Sequence, residues 1–115
     1  MKFSYQLNKI ENCTIILFDG TILDKSEANT LQNEIDGLMM DGENRFILDF
    51  NKIDYINSSG LSVLISLLNK TKENNGRFCL CNVSEKVHKL ILTCKLENIL
   101  KIEGSLKEAI KKIQS

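Results

Sequence analysis

The sequence predicts an α/β domain, a sheet covered by helices, on three observations. Apolar residues alternate in several short segments and recur at three- and four-residue spacing in the longer segments between them. These two periods follow one another in the order β-β-α-β-α-β-α-(β)-α, the order of a layered α/β unit. With 115 residues and 43% apolar content, the chain can close one continuous core, and one domain over residues 1–115 is expected.

Phe3, Tyr5 and Leu7 alternate with Ser4, Gln6 and Asn8, the pattern of a first strand with one wet face, suited to a sheet edge. Residues 13–18 are almost continuously β-branched and apolar, as in a strand covered on both faces, and Asp19-Gly20 then marks a turn. From Asp24 the period becomes helical. Ala28, Leu31, Ile35, Leu38 and Met39 form one stripe, Asp24 and Glu27 have capping-box spacing, and Gly42 supplies the stop. Phe46 to Phe50 reads as a third strand, with Asp49 near its end and pointing away from Phe46, Leu48 and Phe50. After a loop over 51–57, a second helix is expected from Ser58 to Lys72, with Leu61, Leu64, Ile65 and Leu68 toward the sheet and Gly76 beyond its end. Residues 77–83 read as the fourth strand, and Ser84 caps a third helix whose stripe is Val87, Leu90, Ile91 and Cys94. A short last strand is expected over 99–102. Ser105-Leu106-Lys107-Glu108 then opens a terminal helix as a capping box, with Leu106, Ala109, Ile110 and Ile113 inward and Lys107, Lys111 and Lys112 outward.

Composition removes several classes of function. Fifteen basic and fifteen acidic residues cancel, so no global field draws the chain to nucleic acid or an anionic membrane, and neither is expected as a partner. The apolar runs are only a few residues long, against the roughly 20 that cross a bilayer. Met1-Lys2-Phe3-Ser4-Tyr5 lacks the apolar stretch and cleavage site of a signal peptide, so a cytoplasmic location is expected. Of the cysteines at 13, 79, 81 and 94, three lie inside apolar stretches, where a thiol packs as a small hydrophobe, and Cys79 and Cys81 share one face of a strand. C-x2-C spacing is absent and His88, the only histidine, falls beside a helix stripe, so no metal or cofactor is expected. A serine hydrolase needs an oriented base and usually Gly-x-Ser-x-Gly, but Ile56 stands where the first glycine would be, and the glycines of a phosphate-cradling loop are missing. The chain reads as a binding protein rather than an enzyme.

The most distinctive local feature is Asp54-Tyr55-Ile56-Asn57-Ser58-Ser59-Gly60-Leu61, where an irregular segment meets a helix start. One reading is an ordinary N-cap, with Asn57 or Ser58 satisfying first-turn amides and Gly60 permitting close backbone approach. The other is a binding turn whose serine accepts a phosphoryl group, adding roughly 1.5 to 2 negative charges that a helix N-terminus tolerates and a close-packed partner does not. Val63 and Leu67, four residues apart and off the main stripe, extend that surface if they face a partner, or rest on neighbouring elements if they do not.

The segment Asp49-Phe50-Asn51-Lys52-Ile53-Asp54-Tyr55-Ile56-Asn57-Ser58-Ser59-Gly60-Leu61-Ser62-Val63-Leu64 resembles the signature of STAS domains, specifically the bacterial anti-sigma-factor antagonists. Asp24 to Leu31 is similar to the family's first helix start, and Cys81 to Leu96 to its strand and third helix, so the resemblance spans nearly the whole chain. It implies a STAS fold, a four- to five-stranded mixed sheet with about four helices, and regulation of sigma-factor-dependent transcription by partner switching. The implied partner is an anti-sigma factor with serine kinase activity that phosphorylates the first serine of the motif, Ser58 here, and so releases itself; a PP2C-type phosphatase restores the serine. Partner contacts are then expected at Asn57, Ser58, Ser59, Gly60, Val63 and Leu67, with Ser59 the acceptor if the register is shifted. One departure stands out: the family usually has Asp where this chain has Asn57, which keeps a capping acceptor without the charge. The competing reading is an unswitched STAS scaffold or sensor module in a signalling complex.

Overall fold

The computed structural model describes residues 4–20, 25–53 and 56–114. Strands β1 (Ser4–Ile10), β2 (Cys13–Asp19), β3 (Arg45–Lys52), β4 (Arg77–Cys81) and β5 (Ile102–Glu103) and helices α1 (Lys25–Met40), α2 (Ser58–Glu73), α3 (Glu85–Thr93) and α4 (Leu106–Gln114) follow one another as β1-β2-α1-β3-α2-β4-α3-β5-α4. The strands form one mixed sheet in sequential order, β1 antiparallel to β2 and the other neighbours parallel. Phe3 and the Asp24 cap lie outside the described residues.

The hairpin between β1 and β2 turns on Glu11 and Asn12 alone, both at positive φ (48° and 70°), the backbone a two-residue hairpin with matching twist requires. Each later connection is a crossover that advances the sheet by one strand. Because such crossovers share one hand, their helices collect on one face. There α1, α2 and α3 bury Leu31, Ile35, Leu64, Leu68, Val87 and Ile91 against Ile16, Phe46, Leu48 and Leu80 of the sheet. The rings of Phe18 and Phe50 meet edge to face at 5.3 Å. The opposite face is covered by α4, whose Ala109 and Ile113 pack on Cys13, Ile15, Ile47, Cys79 and Cys81. Cys79 and Cys81 thus share a face as expected.

Helix termini explain where expectation and structure part. Gly42, at φ 96°, ends α1 in a Schellman motif, with Glu43 N–H donating to the Leu38 carbonyl and Gly42 N–H to that of Met39. The same motif ends α3, but with Lys95 at φ 57° instead of a glycine: Leu96 N–H reaches the Ile91 carbonyl and Lys95 N–H that of Leu92. The helix therefore stops at Thr93, and Cys94 is its exposed C-cap rather than part of the buried stripe. β4 stops at Cys81 rather than residue 83, since Asn82 turns to φ 56°. The last strand lies at Ile102–Glu103 rather than 99–102; residues 99 and 100 instead form a turn whose amides both donate to the Leu96 carbonyl, with Leu100 buried.

Candidate functional site

The parallel strands β2 to β4 end on one side of the sheet, and α2 starts there directly after the exit from β3. Two devices fix that exit. Asp49, buried within β3, accepts from the Asn51 amide at 2.9 Å and from Asn82 Nδ2 at 3.1 Å, tying the last residues of β3 to the turn that leaves β4. Ile53 and Ile56 are both buried and anchor the loop to the core on either side of residues 54 and 55.

Asn57 is the N-cap of α2, with extended backbone (φ −83°, ψ 172°). Its Oδ1 accepts from the Gly60 amide at 2.7 Å and its carbonyl from the Leu61 amide at 2.9 Å. Ser58 and Ser59 are the first two helical residues, and Asn57, Ser58 and Ser59 are all exposed. The first turn of α2 contains no acidic residue, so the positive end of the helix dipole faces solvent without a fixed counter-charge on that turn.

Two expected contact residues are not on the surface. Gly60 is buried, and a Cβ there would fall 2.8 Å from Ile56 Cγ1 and 3.3 Å from Asn57 Oδ1. The close approach that this glycine permits is internal, to the Ile56 side chain folded beneath the cap. Leu67 is only 3% exposed, packed in the core where α2 meets α1. Val63, one turn earlier, is half-buried and keeps part of its side chain accessible.

Val63 and Leu67 lie along a groove of about 370 Å³ between α1 and α2, which Ser62, Ser66 and Lys70 line from α2 and Asn29 and Gln32 from α1. Ser59, Ser62, Val63 and Ser66 follow one another at helical spacing, so the groove continues the face of α2 that opens at the exposed turn. The contribution of α1 was missed from sequence. Its signal was present in Ala28, a small residue within a stripe of Leu and Ile, beside polar Asn29 and Gln32: too little side chain to fill the gap between two helices.

His88 is exposed on α3, and among the described residues no group of three or more His, Cys, Asp or Glu could hold a metal ion. Among the described residues no helix is long and apolar enough to cross a membrane.

A family model described as STAS domain matches residues 4–109. The chain is 25% identical over 103 residues to BtrV of Bordetella bronchiseptica, provisionally named an anti-sigma factor antagonist, with 90% of this chain and 88% of that protein aligned. Its fold is similar to the crystal structure of TM1081 from Thermotoga maritima, which bears the same provisional name, with a TM-score of 0.80, 21% identity and coverage of 96% of this chain and 95% of that one. It is similar too to SpoIIAA of Bacillus, an anti-sigma factor antagonist with structures in unphosphorylated and phosphorylated forms. There the TM-scores are 0.74 and 0.68 at 21% and 20% identity, covering 96% of this chain and 96% and 99% of SpoIIAA.

Proposed function

The chain belongs to the STAS domain family, and on that premise we propose that it is an anti-sigma factor antagonist that switches partners through phosphorylation of Ser58. The observation that carries this reading is the exposed Ser58 hydroxyl at the first position of α2, beside a formed Asn57 cap and with no acid in the first turn. A phosphoryl group there meets the positive helix terminus and the first-turn amides that lack intrahelical acceptors, so the fold tolerates it. A partner packed over Asn57, Ser58, Ser59 and the accessible part of Val63 instead meets new bulk and a charge of roughly −1.5 to −2 to be desolvated. Binding is lost while the domain stays folded. The partner in this reading is an anti-sigma factor with serine kinase activity, and a PP2C-type phosphatase resets Ser58 in the cytoplasm; the chain itself binds and does not catalyse.

Capture from lysate of the source cells tests this. Wild type is expected to retain an ATP-binding serine kinase identified by mass spectrometry, and Ser58→Asp to lose it while unfolding at an unchanged temperature. Equal retention by both proteins would contradict the switch.

A second reading, an unswitched module in a signalling complex, is favoured by Asn57: a kinase that recognises a carboxylate before the serine finds an amide. Asn57→Asp separates the two, since faster phosphorylation of that variant belongs only to the switched antagonist.

A further inference from the structure

The two faces of the sheet are covered unequally. Of the largest fully buried side chains, all but Ile47 belong to the core that the sheet shares with α1, α2 and α3. The opposite face is covered by α4 through Ala109 and Ile113, and the main neighbours of that helix are strands, β3, β4 and β5.

The hold of α4 is correspondingly slight. It has nine residues, too few for a stable helix in water on its own, so leaving the sheet means unfolding as a unit. Ordering the backbone at each of those positions opposes docking. Against that cost stand two fully buried side chains, one of them an alanine, and the partly buried Leu106 and Ile110. Two polar contacts at its ends are exposed: Ser105 Oγ accepts from the Glu108 amide at 3.2 Å, and Gln114 Nε2 donates to the Glu11 carbonyl. Exposed Gly104 stands between the two-residue β5 and the Ser105 cap, which gives the chain a hinge.

Three thiols lie beneath α4, spread along its length. Cys13 meets Gln114 in the last turn, Cys79 Sγ donates to the Ala109 carbonyl at 3.8 Å near the middle, and Cys81 pairs with Glu103 of β5, just before the helix starts. Cys79 also borders a cavity of about 330 Å³, which gives a reagent a second route to it. Cys13 and Cys81 are both 0% exposed, so they react only when their cover lifts, whereas Cys94 is exposed throughout.

We propose that α4 is a detachable cover: it leaves the sheet as one unit, baring Cys13, Cys81 and the apolar strip of Ile15 and Ile47, while α1 to α3 and the central strands stay folded. The test is alkylation of the full chain carrying Cys94→Ser with iodoacetamide, read residue by residue by mass spectrometry, beside hydrogen exchange at the Phe46 and Leu48 amides of β3. Both thiols are expected to react through one opening equilibrium, at least about a hundredfold more favourable than the one that exposes those amides. Ser105→Ala removes the cap of α4 and is expected to speed both thiols about fivefold. Ile35→Val weakens only the core on the other face, which the opened form retains. It is expected to speed exchange at Phe46 and Leu48 several-fold and to leave both thiols unchanged. The proposal is overturned if the thiols open no more readily than those amides, if Ile35→Val speeds thiols and amides alike, if Ser105→Ala leaves both thiols unchanged, or if Cys13 reacts without Cys81.

Discussion

At Asn57 one carboxamide closes the first turn of α2, so Asn57→Ala is expected to lower stability by about 1 kcal/mol in urea unfolding, the usual loss of a cap. Asn57→Asp keeps the acceptor and places a charge where the helix dipole favours it, with an expected gain of about 0.3–1 kcal/mol that fades with salt. Gly60→Ala sets two effects against each other. Alanine recovers roughly 1 kcal/mol of helix propensity, but its Cβ would stand 2.8 Å from Ile56 Cγ1, and overpacking of that kind costs about 1–3 kcal/mol. Net destabilisation is expected, and pairing it with Ile56→Ala should relieve the clash, giving a coupling in a double-mutant cycle. Burial holds the Cys79 thiol up at about 11, with Glu103 adding to it, and the Cys81 thiol up at about 12, with Asp49 adding to it, both from 9.0. The folded state therefore keeps these protons when the unfolded chain has released them. Their stabilisation is complete below about pH 9 and is lost as pH rises toward 11 to 12; urea midpoints should fall over that window, less steeply in Cys81→Ala. Asn57 and Ser58 were legible in sequence because caps are local chemistry. The burial of Gly60 was not, because it depends on how Ile56 folds back beneath the cap.

Among the elements, α2 joins the exposed turn to the core, and its two off-stripe residues separate cleanly. Leu67→Ala removes a core side chain and is expected to cost about 2–5 kcal/mol, whereas Val63→Ala should cost less stability and, if the partner lies along the groove, more affinity. A fall in affinity for Leu67→Ala at temperatures where it stays folded would move that residue back to the interface. The strands and helices themselves could be read from periodicity, because each has one wet side and one dry side. Their ends were harder. α3 stops on a left-handed Lys95 and β4 on a left-handed Asn82, neither a glycine, so composition gave no stop sign. The burial of Leu67 was left open for a related reason: α2 packs on both the sheet and α1, which widens its buried arc beyond a single stripe.

Over the whole molecule, sequential crossovers put α1 to α3 on one face and leave α4 to cover the other. This sets the α2 N-terminus at one end of the sheet and a cavity bordered by Lys72, Arg77, Lys101 and Lys112 near the opposite end of the same helix. The first could be read from a contiguous motif. The second could not, because residues 72, 77, 101 and 112 come together only through the β4–β5 pairing and the return of α4. The switch at the exposed end is most directly tested by intact mass. Wild type and Ser58→Ala would be incubated with ATP and lysate of the source cells, with a control substrate showing that the kinases are active. One added phosphate on wild type and none on Ser58→Ala is the expected result. No phosphate on either protein, or the same phosphate on both, would contradict the role given to Ser58.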